Sequence, residues 1–254
     1  MKTSNLLRTM SSILPALTLS FGAGSVHANN LFGIDVSSAQ GSINWTSVHA
    51  DGAVFAFAKA TEGTSVTDAD FAANMTHGKA AGMQMGAYHF AYPAVNCPSS
   101  EANYFWNVAG PYILKDGKSL SPAVDFEIFN GTVCQPSYTA WLNAFNNAVK
   151  NKTTNSLNCQ VIISPCSGCN FTSSITLGPW IINYNGQNLY TGSPWNVCCN
   201  CNVWDSTHIC GSKVWNYWGV SGTGAIGGIS GNVDFDAFNG SLSFLKSSQG
   251  IGGI

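Results

Sequence analysis

Charge is what this sequence has least of. Only 9% of its 254 residues are Asp, Glu, Lys or Arg, against about a quarter in ordinary soluble domains. Arg8 is its single arginine, and the formal net charge is −2. A chain without clustered Lys and Arg cannot neutralise a phosphate backbone, so no nucleic-acid partner is expected. The same balance gives no electrostatic steering toward an anionic surface. No Gly-rich loop runs into a helix in the pattern that cradles phosphate, which leaves nucleotide chemistry unsupported. Beyond residue 28 no apolar run approaches the ~18 residues that a membrane span needs, so no membrane partner is expected either.

What stands at the start is a leader. Lys2 and Arg8 make a positive region, Ile13 to Phe21 an apolar one, and Val26-His27-Ala28 a small-residue cleavage site. Residues 1–28 therefore read as a secretory signal peptide cut after Ala28. The destination would be the extracellular space or an acidic lysosomal or phagosomal lumen. Nine cysteines follow, at 97, 134, 159, 166, 169, 198, 199, 201 and 210. Behind a signal peptide they read as disulfides, the odd number leaving a free thiol or an intermolecular bridge. Cys166-x-x-Cys169 with Cys198-Cys199-x-Cys201 has partial zinc spacing, but no second Cys/His pair completes a tetrahedral set. No metal or other cofactor is expected.

The stretch around which the chain is organised is Ala123-Val124-Asp125-Phe126-Glu127-Ile128. It reads as a short apolar strand carrying two carboxylates. Strand side chains alternate, so Asp125 and Glu127 share a face, their Cα atoms roughly 6.5–7 Å apart. That face must meet water, a ligand or a compensating polar network, because unpaired buried charges are too costly.

Elsewhere short apolar runs alternate with helical patterns. Strands are expected at 31–36, 53–60, 84–92, 123–128 and 159–164, with helices at 70–81, 100–109 and from Pro136-Ser137 onward. After that come only strands, at 179–184, 213–218 and 232–238, joined by Gly-, Asn- and Cys-rich loops. The fold class is α/β: an irregular TIM-like barrel, five β/α units followed by three strands, forming one domain over 29–243. Residues 244–254 read as a flexible tail. Chemistry in such a barrel sits where strands run out, and there lie Asp35, Glu62, Tyr88, His89, Asp125, Glu127, Tyr184, Asp234 and Asp236. His89, beside Tyr88, should face the other way and pack. Trp180, Trp195, Trp204, Trp215 and Trp218 are more simply read as packing than as sugar platforms.

Phe32-Gly33-Ile34-Asp35-Val36-Ser37, Lys59-Ala60-Thr61-Glu62-Gly63, Gly86-Ala87-Tyr88-His89-Phe90, Asp125-Phe126-Glu127, Pro179-Trp180-Ile181 and Gly228-Ile229-Ser230-Gly231-Asn232-Val233-Asp234 together resemble glycoside hydrolase family 25, the Chalaropsis-type lysozymes. The resemblance runs in order over about 31–243. It implies a muramidase cleaving the β-1,4 bond between N-acetylmuramic acid and N-acetylglucosamine in bacterial peptidoglycan; the leader makes it a secreted one, and a monomer is expected. By the same resemblance Glu127 is the general acid, Asp125 its partner, and Asp35 and Asp234 line the groove. Tyr88, Tyr184 and Glu62 match substrate-facing positions.

The physics fits these roles. A glycosidase needs one carboxylic acid for the leaving oxygen and another carboxylate for the developing positive charge. Crowding by Asp125, Asp35 and Asp234 should hold a proton on Glu127. An i, i+2 pair is too wide for the about 5–5.5 Å of direct carboxylate attack, and suits water activation or attack by the substrate's own acetamide. Ser38-Ala39-Gln40, Trp215-Asn216-Tyr217 and the Cys-rich 196–212 loop depart from the family pattern. A non-catalytic wall- or chitin-binding relative and a chitinase using the same Asp-x-Glu pair therefore remain alternatives.

Overall fold

Seven parallel strands and one antiparallel strand close into a barrel. The computed structural model describes residues 29–127, 129, 133–153, 158–195, 203–204 and 214–251. The signal-peptide expectation for 1–28, and Cys198, Cys199, Cys201 and Cys210, lie outside the described residues. In chain order the elements are β1 (Leu31–Val36), α1 (Trp45–Ala50), β2 (Phe55–Glu62), β3 (Val66–Thr67), α2 (Phe71–Ala80), β4 (Gln84–Phe90), α3 (Pro98–Ala109), β5 (Ala123–Asp125), α4 (Tyr138–Thr153), β6 (Gln160–Ile163), β7 (Gly178–Ile182), β8 (Tyr217–Gly224), β9 (Val233–Phe238) and α5 (Leu242–Gln249). The sheet runs β1-β9-β8-β7-β6-β5-β4-β2, and β1 pairs with β2 to close it. The short β3 is a hairpin arm on β2. Within the barrel only β9 runs against its neighbours, wedged between β8 and β1.

Alternation sorts each strand into two layers. Ile34, Val36, Ala56, Ala58, Val124, Phe126, Val161 and Ile163 face outward and are buried against the helices. Facing inward, Phe55, Phe57, Trp180, Tyr217 and Phe238 fill the lower lumen. Phe57 sits 4.7 Å from Trp180 and 5.2 Å from Tyr217, ring centre to ring centre. This plug needs room opposite it: a Cβ on Gly86 would run into the Phe57 ring. Each fully buried aromatic contributes roughly 1.5–3 kcal/mol of burial.

The helices form as their apolar spacing dictates. Pro98 opens α3, where its missing N–H is no loss, and Ala102, Phe105 and Ala109 are buried on one face. Trp141, Leu142, Phe145 and Val149 do the same for α4. A disulfide joins Cys97, just before α3, to Cys134, with Cα atoms 5.6 Å apart. Cys166 and Cys169 are disulfide-bonded too, which removes them as thiolate zinc ligands. Cys159 is the free cysteine among the described residues, and it is buried.

Three expectations need correction. Residues 244–254 are no loose tail where they are described: α5 ends only at Gln249, and Leu245 and Ile251 are 0% and 2% exposed. Leu245 reaches into the lumen cluster and stoppers the barrel from below. The strand expected at 213–218 is Tyr217–Gly224 instead. A helix not foreseen, α1, crosses from β1 to β2, capped by the Asn44 side chain accepting from Ser47 N–H at 3.2 Å.

Candidate active site

The site grows from β5. Val124 and Phe126 are fully buried outward, Phe126 packing 5.5 Å from Trp141 and 5.7 Å from Tyr138. The strand ends at Asp125, yet its pairing persists: Phe126 N–H donates to Ile162 O at 3.0 Å, and Asp125 O accepts from Ala91 N–H at 3.0 Å. The alternation therefore carries on, putting Asp125 in the upper lumen and Glu127, exposed, at the rim.

Three other strands bring polar side chains to the same place, two of them carboxyls. β1 delivers Asp35 and β4 delivers Tyr88 at the carboxyl ends of parallel strands. Asp234 arrives differently. Because β9 is antiparallel, its beginning lies at the mouth, and Asp234 pairs in register with Asp35. Asp35, Asp125, Glu127, Asp234, Tyr88 and Tyr184 line one groove of about 290 Å³. Tyr184, 56% exposed, donates its hydroxyl to Asp234 Oδ1 at 3.1 Å.

Glu62 stands apart. It does not line the groove; it holds Lys59 in an ion pair at 2.5 Å and accepts from the Tyr92 hydroxyl at 2.6 Å. Lys59 is the charged lining residue that sequence reasoning missed. Its signal was present, since Phe55, Phe57 and Lys59 fall at alternate positions. A register shift between Lys59 and Thr61 then turns Thr61 outward. There Thr61 Oγ1 lies 2.7 Å from His89 Nδ1, and His89 Nε2 lies 2.7 Å from Glu101 Oε2. His89 is thus the packing histidine expected from its position beside Tyr88. Trp180 and Trp218 are likewise fully buried, and Trp215 nearly so. Neither Ser38-Ala39-Gln40 nor Trp215-Asn216-Tyr217 lines the groove.

Burial dominates the electrostatics. It pushes Asp35 up to about 8, with Asp234 and then Glu127 adding their charge. Asp125 is raised well above the carboxylate range by burial first, then by Glu127 and Asp35. Burial also raises Asp234, against the Tyr184 hydroxyl, which favours its ionised form. Asp125 Oδ1 is buried without a hydrogen-bond partner. A crowd of under-compensated carboxyls keeps protons to unusually high pH, and it rewards any positive charge that develops among them. No described helix is long and apolar enough to cross a membrane.

Known proteins share this architecture. The family described as glycosyl hydrolases family 25 matches residues 34–206. Lysozyme M1 of Streptomyces globisporus is 37% identical over 227 residues, covering 87% of this chain and 72% of the relative. An N,O-diacetylmuramidase of Chalaropsis sp is 33% identical over 122 residues, covering 45% of this chain and 57% of that one. Among solved structures, a bacterial lysozyme from Streptomyces coelicolor aligns with a TM-score of 0.69 at 31% identity, covering 87% of this chain and 98% of its own.

Proposed function

The chain belongs to glycosyl hydrolase family 25, and from that premise we propose a secreted lysozyme that hydrolyses the β-1,4 bond between N-acetylmuramic acid and N-acetylglucosamine in peptidoglycan. One observation carries this reading: Asp35, Asp125, Glu127 and Asp234 converge, with two tyrosines, on one groove at the barrel mouth.

Glu127, exposed at the rim, protonates the bridging oxygen as its bond to the anomeric carbon breaks. Asp125 Oδ1, an acceptor without a partner, takes the N–H of the substrate's acetamide. The acetamide oxygen is thereby aimed at the anomeric carbon and bonds to it. Water then adds at that carbon, giving its proton to the Glu127 carboxylate, and the acetamide is released. The positive charge that spreads over the sugar is matched by Asp35, Asp125 and Asp234. Ionised carboxyls that are costly in the empty groove become favourable only then, which is stabilisation confined to the transition state.

Reducing ends released from Gram-positive walls, identified as muramic acid and compared with chitin, test the substrate. Chitin cleaved in preference to wall would replace this reading with a chitinase. Early products should keep the β configuration by NMR; α product appearing first removes the acetamide step.

A further inference from the structure

One carboxyl of the lumen has no part in that scheme. Asp236 lies two residues down β9 from Asp234, fully buried. Its register partners are glycines on both sides, Gly33 on β1 and Gly219 on β8. The room at those glycines is taken by the Phe55 ring and the Ile182 side chain, while Asp35, two residues along β1 from Gly33, faces the same lumen diagonally across from Asp236. Neither of its oxygens meets a well-aligned donor. The groups close to it are Asp35 on β1, Asp234 on its own strand, the Trp180 indole on β7 and the Tyr217 hydroxyl on β8. Trp180 Nε1 and the Tyr217 hydroxyl are also buried and without aligned partners.

No cation is among those neighbours. Two carboxylates that close can interact favourably only if a proton lies between them, for each is otherwise an acceptor alone. We propose that Asp236 is a positioning residue: its protonated carboxyl, seated beside Trp180, donates to Asp35 and fixes how Asp35 is presented to the sugar. The inference rests on the muramidase reading, since it acts through Asp35. Burial, reinforced by the charges of Asp35 and Asp234, keeps the proton on Asp236. That hydrogen bond in turn favours ionised Asp35, in part opposing its burial.

Three variants test it: Asp236→Asn, Asp236→Ala and Asp35→Asn, each assayed for kcat, KM, pH profile and Tm. An amide N–H replaces the donated proton, so Asp236→Asn should keep kcat within about threefold and leave the pH profile in place. Asp236→Ala removes the donor and lets Asp35 swing; kcat should fall about 10- to 100-fold with KM little changed. The Asp35 limb of its pH profile should also move upward. Wild-type kcat and pH profile in a folded Asp236→Ala protein would overturn the proposal. So would an Asp236→Asn protein that loses more than about tenfold, because a hydrogen-bond donor would then not suffice. This second outcome decides the matter even if the alanine variant fails to fold. Asp35→Asn separates the two levels of the argument. If it is inactive while Asp236→Ala is not, only the positioning role falls; if it is fully active, the mouth reading falls as well.

Discussion

Glu101 and Asp236 are both sealed from solvent, and the protein treats them in opposite ways. Glu101, in the layer between the barrel and α3, accepts from Tyr92 N–H at 3.1 Å and Asn96 Nδ2 at 2.9 Å, with His89 Nε2 at 2.7 Å. His89 is itself stacked on Phe145 and edge-on to Phe105. Asp236 and its neighbours in the lumen have no such completion. A buried carboxylate costs several kcal/mol unless it is paired, so the outer layer has been finished for stability. On the proposed reading, the lumen is left electrostatically unfinished for the positive charge that develops on the sugar only in the transition state. The difference separates acids that hold the fold from the acids proposed to do the chemistry.

Breaking that separation is a matter of swapping the effects. Glu127→Gln should show the largest change, a loss of about 10³-fold in wall hydrolysis, within the range that general acid catalysis contributes. Its Tm should stay near wild type, because Glu127 is exposed. Undiminished lysis would remove Glu127 from the acid role. Glu101→Ala should do the reverse, leaving His89, Tyr92 and Asn96 unpaired. About 3 kcal/mol of stability should go in a urea titration, while kcat of the folded enzyme stays within about twofold. A catalytic loss without a stability loss would show that the outer network belongs to the site after all.

The pH dependence of stability sharpens the comparison further. Asp35 is raised from 3.8 to about 8, and Asp125 and Asp236 are raised well above the usual range. The native lumen therefore binds protons that the unfolded chain has released. Its contribution is fully present below about pH 4 and is lost as pH rises through about 8. Glu62 and Asp116, lowered by Lys59 and Lys79 respectively, act in the opposite sense at the acid end. Both are partly exposed, so screening shrinks their share. Thermal melts should give a higher Tm at about pH 5 than at about pH 8, with a flatter slope in Asp35→Asn. A Tm that climbs across that interval would contradict the raised lumen.

Much of this was legible because alternation is a strong signal. The runs holding Asp35, Tyr88 and Asp125 have apolar outward neighbours, and those neighbours alone decide which way the polar groups face. Where the signal is weak the reading failed. β8 is Tyr-Trp-Gly-Val-Ser-Gly-Thr-Gly, too rich in Gly and Ser to announce a strand, and it forms because β7 and β9 flank it. α5 shows one buried leucine among serines. The direction of β9 lies in no local pattern; pairing sets it, and with it the depth of Asp236. The outward turn of Thr61 depends on a bulge between Lys59 and Thr61, which no local pattern announces.

The smallest effect is expected at Tyr184, where the working region meets solvent. Its hydroxyl donates to Asp234 at 3.1 Å, and the side chain is 56% exposed. Tyr184→Phe keeps the ring and removes the donor. Asp234 then loses a bond that favours its ionised form, so its titration should move upward. A hydrogen bond to a charged group contributes roughly 1.5–3 kcal/mol when well shielded, and exposure here should hold the loss near 1 kcal/mol. That corresponds to a drop of about fivefold in kcat/KM, with the acid limb of the pH profile displaced upward. Outer-layer hydrogen bonds of similar length should change Tm when cut and leave that limb alone. If Tyr184→Phe instead lowers Tm and leaves the pH profile fixed, Asp234 belongs with Glu101 among the structural acids, and the working set contracts to Asp35, Asp125 and Glu127.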